Sequence, residues 1–418
     1  MNWNPFAKSK KTQVTGFAEQ DNSGQWMQYF NQYVNSLNGE IPKYENSKAY
    51  ELACTIAEIF IPIDAIADRA ASIEYKIRNK KTKEDYEPQG NLKRLVDNPN
   101  PLSRMSDIVY QSVFSELSDG NSYIYTKTPD SIKNPTIDNI SNIWVLKPNV
   151  TKPVLLKEIS NPFLMKDKKD FIKYYKTFFL IKHDIEPRYI LHRTVLGLDE
   201  NGCGLSPLSR VSRNINNILA VYQARFNVYA KNGNGGILSK APSSSNGTIQ
   251  DALDPASRDE ILNDLNNRNG ITGNKNFIGI SAIPLQFIKT LGTIQELQPF
   301  EETEENAIKI AGVYGVNKEL IPRKGSSTFT NQNDAEKGLW QNVVKSICED
   351  KAKDLDKVFY LPEELEFYPD FSKVEALQED KKTSLESDSI EIDNLVKLTE
   401  AGQDMKNAFN NLKEKYNG

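Results

Sequence analysis

Histidine and cysteine are scarce in this 418-residue sequence, which holds two of the first and three of the second. The cysteines, Cys54, Cys203 and Cys348, are far apart and odd in number. They offer neither a disulfide framework nor a zinc-ligand spacing, and a reducing compartment fits. His183, in "LIKHDIEP", and His192, in "ILHRTV", have no partner at metal-ligand spacing, so a structural role is expected of both. Long apolar runs are missing too. Nothing approaches the roughly 20 apolar residues of a membrane-spanning helix, and the start, "MNWNPFAKSKKTQ", has no apolar signal region. A soluble chain outside the secretory route, with no membrane partner, is expected. Nor is there an excess of positive charge: 52 basic residues face 56 acidic ones, a net charge of −4. That balance argues against a protein that grips nucleic acid by bulk charge.

Catalytic signatures are also lacking. "GCGLS", Gly202 to Ser206, frames a serine, but Pro207 follows it, so G-x-S-x-G is not met and a helix cap explains it better. No G-x-x-x-x-G-K-[ST] loop occurs. The glycines of "KNGNGGIL", Gly233, Gly235 and Gly236, do not follow a strand as a dinucleotide fingerprint requires. The acids of "FEETEENA" are explained by the dipole of a first helical turn. No catalytic residue, cofactor or metal is expected.

What is present is enough apolar material, 38% of residues, for two or three substructures in a chain of this length. Residues 1–22 read as a loose polar arm. From Ser47 to Ala71, Leu52, Ile56, Ile59, Ile63 and Ile66 recur at helical steps, which predicts an amphipathic helix interrupted at Pro62. "SIEYKI" alternates like a strand. Asn98 to Pro101 is a turn. Ser103 or Ser106 then caps a helix through Ile108, Val109, Val113, Phe114 and Leu117, and Asp119-Gly120-Asn121 reverses into the strand "SYIYT". The strand-like runs "IWVLKP", "KPVLLKEI", "FIKYYKTFFLI" and "RYILHRTV" make 73–196 an α+β region with a mostly antiparallel sheet.

Ser206 as N-cap and Pro207 at the first position open a helix of about 26 residues ending near Gly233. Residues 234–290 read as a small inserted α/β module with a short helix after Asp254 and strands "FIGIS" and "LQFIKT". "FEETEENAIKIAGVYGV" resumes a helix. The stretch "KGSSTFTNQNDAEKGLW", Lys324 to Trp340, leads into a second long helix from about Asn333 to Phe359, with Leu339, Val343, Ile347 and Leu355 near one face beside Trp340, Val344 and Val358. The strand "ELEFYPD" follows. The tail, 374–418, carries ten acids against six bases and two expected helices.

Six motifs in order, "NPNPLS", "DGNSYIY", "YILHRTV", "GLSPL" opening a long helix that ends "NVYAKNGNGGIL", "IAGVYGVNKELI" and "TFTNQNDAEKGLW", resemble the portal proteins of tailed bacteriophages over roughly residues 47–360. The resemblance implies an α+β portal-type fold with these parts: arm 1–22, wing 23–205, first stem helix 206–233, clip 234–296, second stem helix 297–320, tunnel loop 321–333, long tunnel helix with a return to the wing 334–373, and helical crown 374–418. It further implies a homo-oligomeric ring, usually of twelve subunits, at one capsid vertex of the virion, assembled in the host cytoplasm. Double-stranded DNA enters and leaves through the ring. The partners implied are the terminase large subunit on the clip, later a head-tail adaptor in its place, and the major capsid protein against the wing. One departure stands out: relatives commonly carry a proline after "GV", where this chain has Asn317 and Lys318, with Pro322 only later.

In that frame the channel-lining candidates are Arg323, Lys324, Ser326, Ser327, Thr328, Thr330, Asn331, Gln332 and Asn333. Small neutral polar groups exchange hydrogen bonds with passing phosphates without holding any of them, whereas rings of fixed cations would trap DNA through counterion release. Arg323 and Lys324 would supply a limited grip. The plainer reading of the same stretch is a solvated loop capping a helix at Thr330 or Asn331. Two other functions compete: a metal-dependent nuclease using converging Asp and Glu residues of the α+β region, and another ring-forming virion adaptor protein.

Overall fold

The computed structural model describes residues 43–129, most of 132–156 and of 167–230, residues 236–240 and 285–289, and residues 299–322 and 328–378, with a few isolated positions besides. The arm, most of the inserted module, including "FIGIS", and the tail helices lie outside the described residues. The chain divides into two compact units, one of residues 44–217 with 300–418, the other of residues 1–43 with 218–299.

The larger unit begins with two helices, α1 (Ala49–Thr55) and α2 (Ala57–Ser72). The break between them falls at Ile56, which is extended at φ −103° and ψ 116°, and not at Pro62. Proline is carried inside α2, buried with Ile59, Ile63 and Ile66. Strand β1 (Glu74–Asn79) follows, then α3 (Gly90–Asp97) and α4 (Met105–Asp119). Arg104, and neither Ser103 nor Ser106, is the N-cap of α4. Its backbone N–H donates to Asp107 Oδ2 at 2.8 Å, so the acid three residues on satisfies the helix start. Helices α2 and α4 pack together, and Phe114 of α4 gathers Tyr50, Phe60 and Tyr110 at ring-centroid distances of 5.8–5.9 Å.

Strands β2 (Asn121–Lys127), β3 (Asn142–Leu146), β4 (Thr151–Leu155), β5 (Ile172–Phe179), β6 (Ile181–Ile185) and β7 (Ile190–Thr194) come next. The expected antiparallel region is present as two three-stranded sheets, ordered β3-β2-β7 and β4-β5-β6. Tyr123, Leu146, Ile172, Tyr175, Ile185 and Ile190 form one core drawn from both. That sharing follows from the alternation of strands, which sends every second side chain to the buried face.

Ser206 caps the next helix as expected, its hydroxyl accepting from the Leu208 N–H at 3.1 Å, with Pro207 in the first position. The first turns, Pro207–Val211, are wound more tightly than α5 (Ser212–Ala230), which continues them. The boundary between the two units falls within α5. In the smaller unit, β8 (Gly236–Lys240) pairs antiparallel with β9 (Leu285–Lys289), the run expected as "LQFIKT".

Back in the larger unit, α6 (Pro299–Val313) starts with proline and carries Glu301 and Glu302 in its first turn, where the dipole favours them. It ends at Gly315, φ +71°, with the Val316 N–H reaching back to Ala311 O at 3.1 Å. The second long helix consists of α7 (Phe329–Leu339), one π-helical turn (Trp340–Val344) and α8 (Lys345–Val358). It starts at Phe329, ahead of the expected Asn333. Of the expected face, Leu339 and Leu355 are buried, as are Trp340, Val344 and Val358 beside it, while Val343 and Ile347 are partly exposed and Cys348 and Lys351 are buried instead. The extra residue of the π turn, closed by Lys345 N–H on Trp340 O, rotates everything beyond it by about 100° relative to a continuous α-helix. Strand β10 (Leu365–Asp370) then pairs antiparallel with β1, Ile77 opposite Phe367.

Candidate channel segment and its anchorage

Four of the sequence motifs meet at one junction. Gly120, φ +85°, ends α4, and a Cβ placed there would lie 2.2 Å from Leu205 O; a Cβ on Gly204 would lie 2.3 Å from Gly120 O. The two backbones approach as closely as glycine allows. Asn121 clasps them. Its amide oxygen accepts from Gly204 N–H at 2.6 Å and its amide nitrogen donates to Gly204 O at 3.0 Å and to Asp119 Oδ1 at 2.7 Å. Ser206 Oγ donates to Ser118 O at 2.5 Å, and the Ser206 N–H to Asn46 Oδ1 at 3.1 Å. Tyr314, at the end of α6, donates its hydroxyl to Leu117 O at 2.8 Å. The start of α5 and the end of α6 are thereby bolted to α4. Along their length Asn214 of α5 donates to Asn306 Oδ1 of α6 at 2.7 Å.

His192 belongs to this junction and not to a metal site. Because Asn121 Oδ1 already accepts from Gly204, the His192 Nε2 beside it, at 3.0 Å, must donate; Nδ1 therefore accepts from the Tyr175 hydroxyl at 3.2 Å. Burial, with Lys168 and Lys152 adding repulsion, pulls the imidazole down to about 3. His183 is exposed on β6.

Sequence reasoning missed a buried charge cluster under α8. Lys351, 2% exposed, donates from Nζ to Ser112 Oγ at 2.8 Å, to Glu116 Oε1, and to Asp354 Oδ2 at 3.4 Å. Arg193 of β7 bonds Asp354 at 3.2 Å and Asp350 at 2.7 Å. The only sequence signal was that Lys351 and Asp354 fall on the apolar stripe once the π turn is allowed for. Among the described residues no group of three or more His, Cys, Asp or Glu is placed to hold a metal ion. Glu116, Asp350 and Asp354, which converge under α8, are matched there by two cations, Lys351 and Arg193.

After α6 the structure describes the chain as far as Pro322. Asn317, in the place of the family's proline, caps a short turn (Lys318–Leu320) by accepting from the Glu319 N–H at 3.1 Å; Ile321 is buried and Pro322 exposed. A polar cap thus does what proline would do, by holding the backbone extended at φ −69° and ψ 145°. Arg323, Lys324, Ser326 and Ser327 lie outside the described residues. Thr328, and neither Thr330 nor Asn331, is the cap of α7, its hydroxyl accepting from the Asn331 N–H at 3.3 Å. Thr330, Asn331, Gln332 and Asn333 are brought together as the first exposed turn of α7, so the expected loop is helical from Phe329 on. The turn contains no cation, and Phe329 stands in it 77% exposed. One turn later α7 is fastened. Arg69 of α2 donates two hydrogen bonds to the carboxylate of Glu336, at 2.7 and 2.6 Å, and Trp340 Nε1 donates to Glu336 Oε1 at 2.9 Å.

A family model described as Phage portal protein matches residues 57–395. No curated protein matches the sequence. Among solved structures, a chain from the neck of a native GTA particle computed with C12 symmetry is 16% identical, with 80% of this chain and 87% of that chain covered and a TM-score of 0.53. A chain from the virion of a native gene transfer agent (GTA) particle is 14% identical, with 86% and 94% covered and a TM-score of 0.55. At these identities the likeness speaks for the fold alone. The family model takes in both three-stranded sheets, the junction of α4, α5 and α6, and the whole of α7 and α8, and on that match the chain belongs to the phage portal proteins, components of a phage-like virion.

Proposed function

We propose that copies of this chain close into a ring of twelve at one capsid vertex, with the exposed turn Thr328–Asn333 facing the axis through which double-stranded DNA is packaged and ejected. In this reading 23–205 is the wing against the major capsid protein, α5 and α6 the stem, 234–296 the clip that receives the terminase large subunit and later a head-tail adaptor, and 374–418 the crown. The single observation that carries it is the composition and placement of the α7 start: hydroxyl and amide side chains, no cation, fully solvated, yet held by a buried-ended helix and the Arg69–Glu336 pair. A wall of that kind hydrogen-bonds phosphate transiently and releases few counterions, so the duplex slides. Phe329, 77% exposed on the single chain, offers apolar surface for burial between neighbouring copies. The C12 symmetry given for the structurally similar neck supports the subunit number.

The test is electron microscopy of the full chain, alone and in assembled particles. The expected result is twelvefold rings whose axial wall carries Thr328–Asn333. A reconstruction with this turn on the outer rim would overturn the proposal.

A further inference from the structure

Apart from the junction and the channel segment, the larger unit holds a cavity of about 400 Å³ between the β7 entry, the turn before β5 and the end of α8. Pockets that admit a small ligand begin at roughly this size. Its wall carries three cations, Lys168, Arg188 and Lys357, against one acid, Asp167. Their commitments are few. Arg188 is paired with Glu186 at 2.8 Å and lies over the Tyr189 ring at 4.5 Å. Lys168 donates only a long bond, 3.4 Å, to Ile190 O, which leaves donors of its ammonium for another acceptor. Tyr189, 8% exposed, also lines the cavity, and its buried hydroxyl has no hydrogen-bond partner among the described residues. Such an orphaned hydroxyl is unfavourable unless something accepts from it or donates to it.

We propose that this cavity binds a phosphate group, held by Lys168 and Lys357 with the Tyr189 hydroxyl as a neutral donor. With Arg188 paired to Glu186, the two ammonium groups of Lys168 and Lys357 offer several donors to one anion, which the multiple oxygens of a phosphate match better than a single carboxylate would. The volume left beyond the phosphate is bounded by Tyr189, Tyr360 and Pro187, which suits the organic body of a phosphomonoester such as a nucleotide. Two features keep the cavity in shape. Tyr360 is held at φ +48°, and its hydroxyl donates to Arg188 O at 3.1 Å. Burial and the neighbouring Lys357 pull the Lys168 ammonium down to about 8, against the opposing pull of Asp354; an anion in the cavity would relieve that repulsion.

The experiment is calorimetric titration of the full chain with inorganic phosphate and, separately, with adenosine monophosphate, beside the variants Lys168→Met and Tyr189→Phe. Binding of either probe is expected, weakened about tenfold in each variant. Tighter binding of the nucleotide assigns a phosphomonoester, and equal binding assigns free phosphate; both uphold phosphate recognition. Tyr189→Phe removes one oxygen and is expected to keep the fold, which thermal unfolding of the unliganded variant checks. Absence of binding by both probes at 10 mM (on the order of −3 kcal/mol or weaker), or binding unchanged in both variants, would overturn the proposal.

Discussion

Arg69 and Glu336, 267 residues apart in sequence, form a two-pronged ion pair with both nitrogen–oxygen distances under 2.8 Å. The pair joins α2 to α7 one turn beyond the exposed turn Thr328–Asn333. Glu336 also accepts from Trp340, the first residue of the π turn, so one carboxylate ties the start of α7 both to α2 and to the irregularity in its own helix. The Arg69 guanidinium and the Trp340 indole hold the Glu336 carboxyl below the usual carboxylate range against the opposing effect of its burial.

Arg69→Lys tests the geometry of this fork. A lysine keeps the charge but cannot make two parallel bonds to one carboxylate. The side chains are about a quarter exposed, so solvent screening limits the loss to roughly 1–2 kcal/mol. The measurement is denaturant unfolding together with hydrogen exchange. Faster exchange is expected across Phe329–Leu339 in the variant, with β2, β3 and β7 unchanged. Uniform change across the larger unit would show that the pair has no special link to α7.

The junction predicts a sharper loss. Gly120→Ala combines a positive φ with a Cβ 2.2 Å from a carbonyl oxygen, and neither backbone has room to retreat because Asn121, next in the chain to Gly120, bonds both the N–H and the carbonyl of Gly204. Destabilisation of about 3 kcal/mol or more is expected, read as a lowered denaturation midpoint or loss of soluble chain. Gly90→Ala, also at positive φ but with nothing within 4 Å, isolates the conformational cost, expected at about 1 kcal/mol.

His192 supplies a pH dependence whose sign is fixed by its surroundings. Its folded value, about 3, lies below the ordinary 6.5, so between those values the unfolded chain binds a proton that the folded chain refuses. The contribution to stability is complete above about pH 6.5 and is lost as pH falls towards 3, at no more than about 1.4 kcal/mol per pH unit. His192→Gln keeps a donor and an acceptor without titrating, and its unfolding free energy is expected to fall less steeply from pH 6.5 to pH 4.5. Equal slopes in the two proteins would refute the assignment.

Under α8, Lys351→Met leaves Glu116 and Asp354 short of a cation in a buried site, expected to cost about 3–5 kcal/mol. Glu116→Gln added to it removes one of the uncompensated charges and is expected to recover part of the loss. A double-mutant cycle in denaturant reads the coupling, and strict additivity would mean that the two side chains do not interact.

Much of this architecture was legible because it depends on local chemistry. Ser206-Pro207 announces a helix start, Asp119-Gly120-Asn121 a left-handed helix end, and alternation in "SYIYT" a half-buried strand. What was not legible depends on the choice between neighbouring caps, on an irregularity within a helix, or on partners distant in sequence. Thr328 outcompetes Thr330 as the cap because the helix extends back to Phe329, and Arg104 displaces two serines because Asp107 reaches back to its N–H. Leu339, Trp340, Val344, Leu355 and Val358 are readable as the buried side, whereas the partial exposure of Val343 and Ile347 is not, because a π turn leaves no mark in residue type. The neutral character of Thr328–Asn333 was readable directly, whereas its fastening through Arg69 was not, since nothing near Arg69 in sequence points to Glu336.

The neutrality of that turn is itself testable. Thr330→Lys with Asn333→Lys places two cations three residues apart on one exposed face of α7. If the turn faces the DNA path, each lysine that neutralises a phosphate adds about 0.9 to the magnitude of the slope of log affinity against log salt. Rings of the variant are then expected to bind linear duplex more tightly at low salt, and particles to package less DNA, because every copy in the ring adds the same grip. The corresponding change to serine at both positions, which preserves a small neutral polar surface, is expected to leave both readings at the wild-type level. A lysine variant with an unaltered salt slope and normal packaging would show that the turn looks away from the duplex, since charge placed against a polyanion cannot be silent in both measurements.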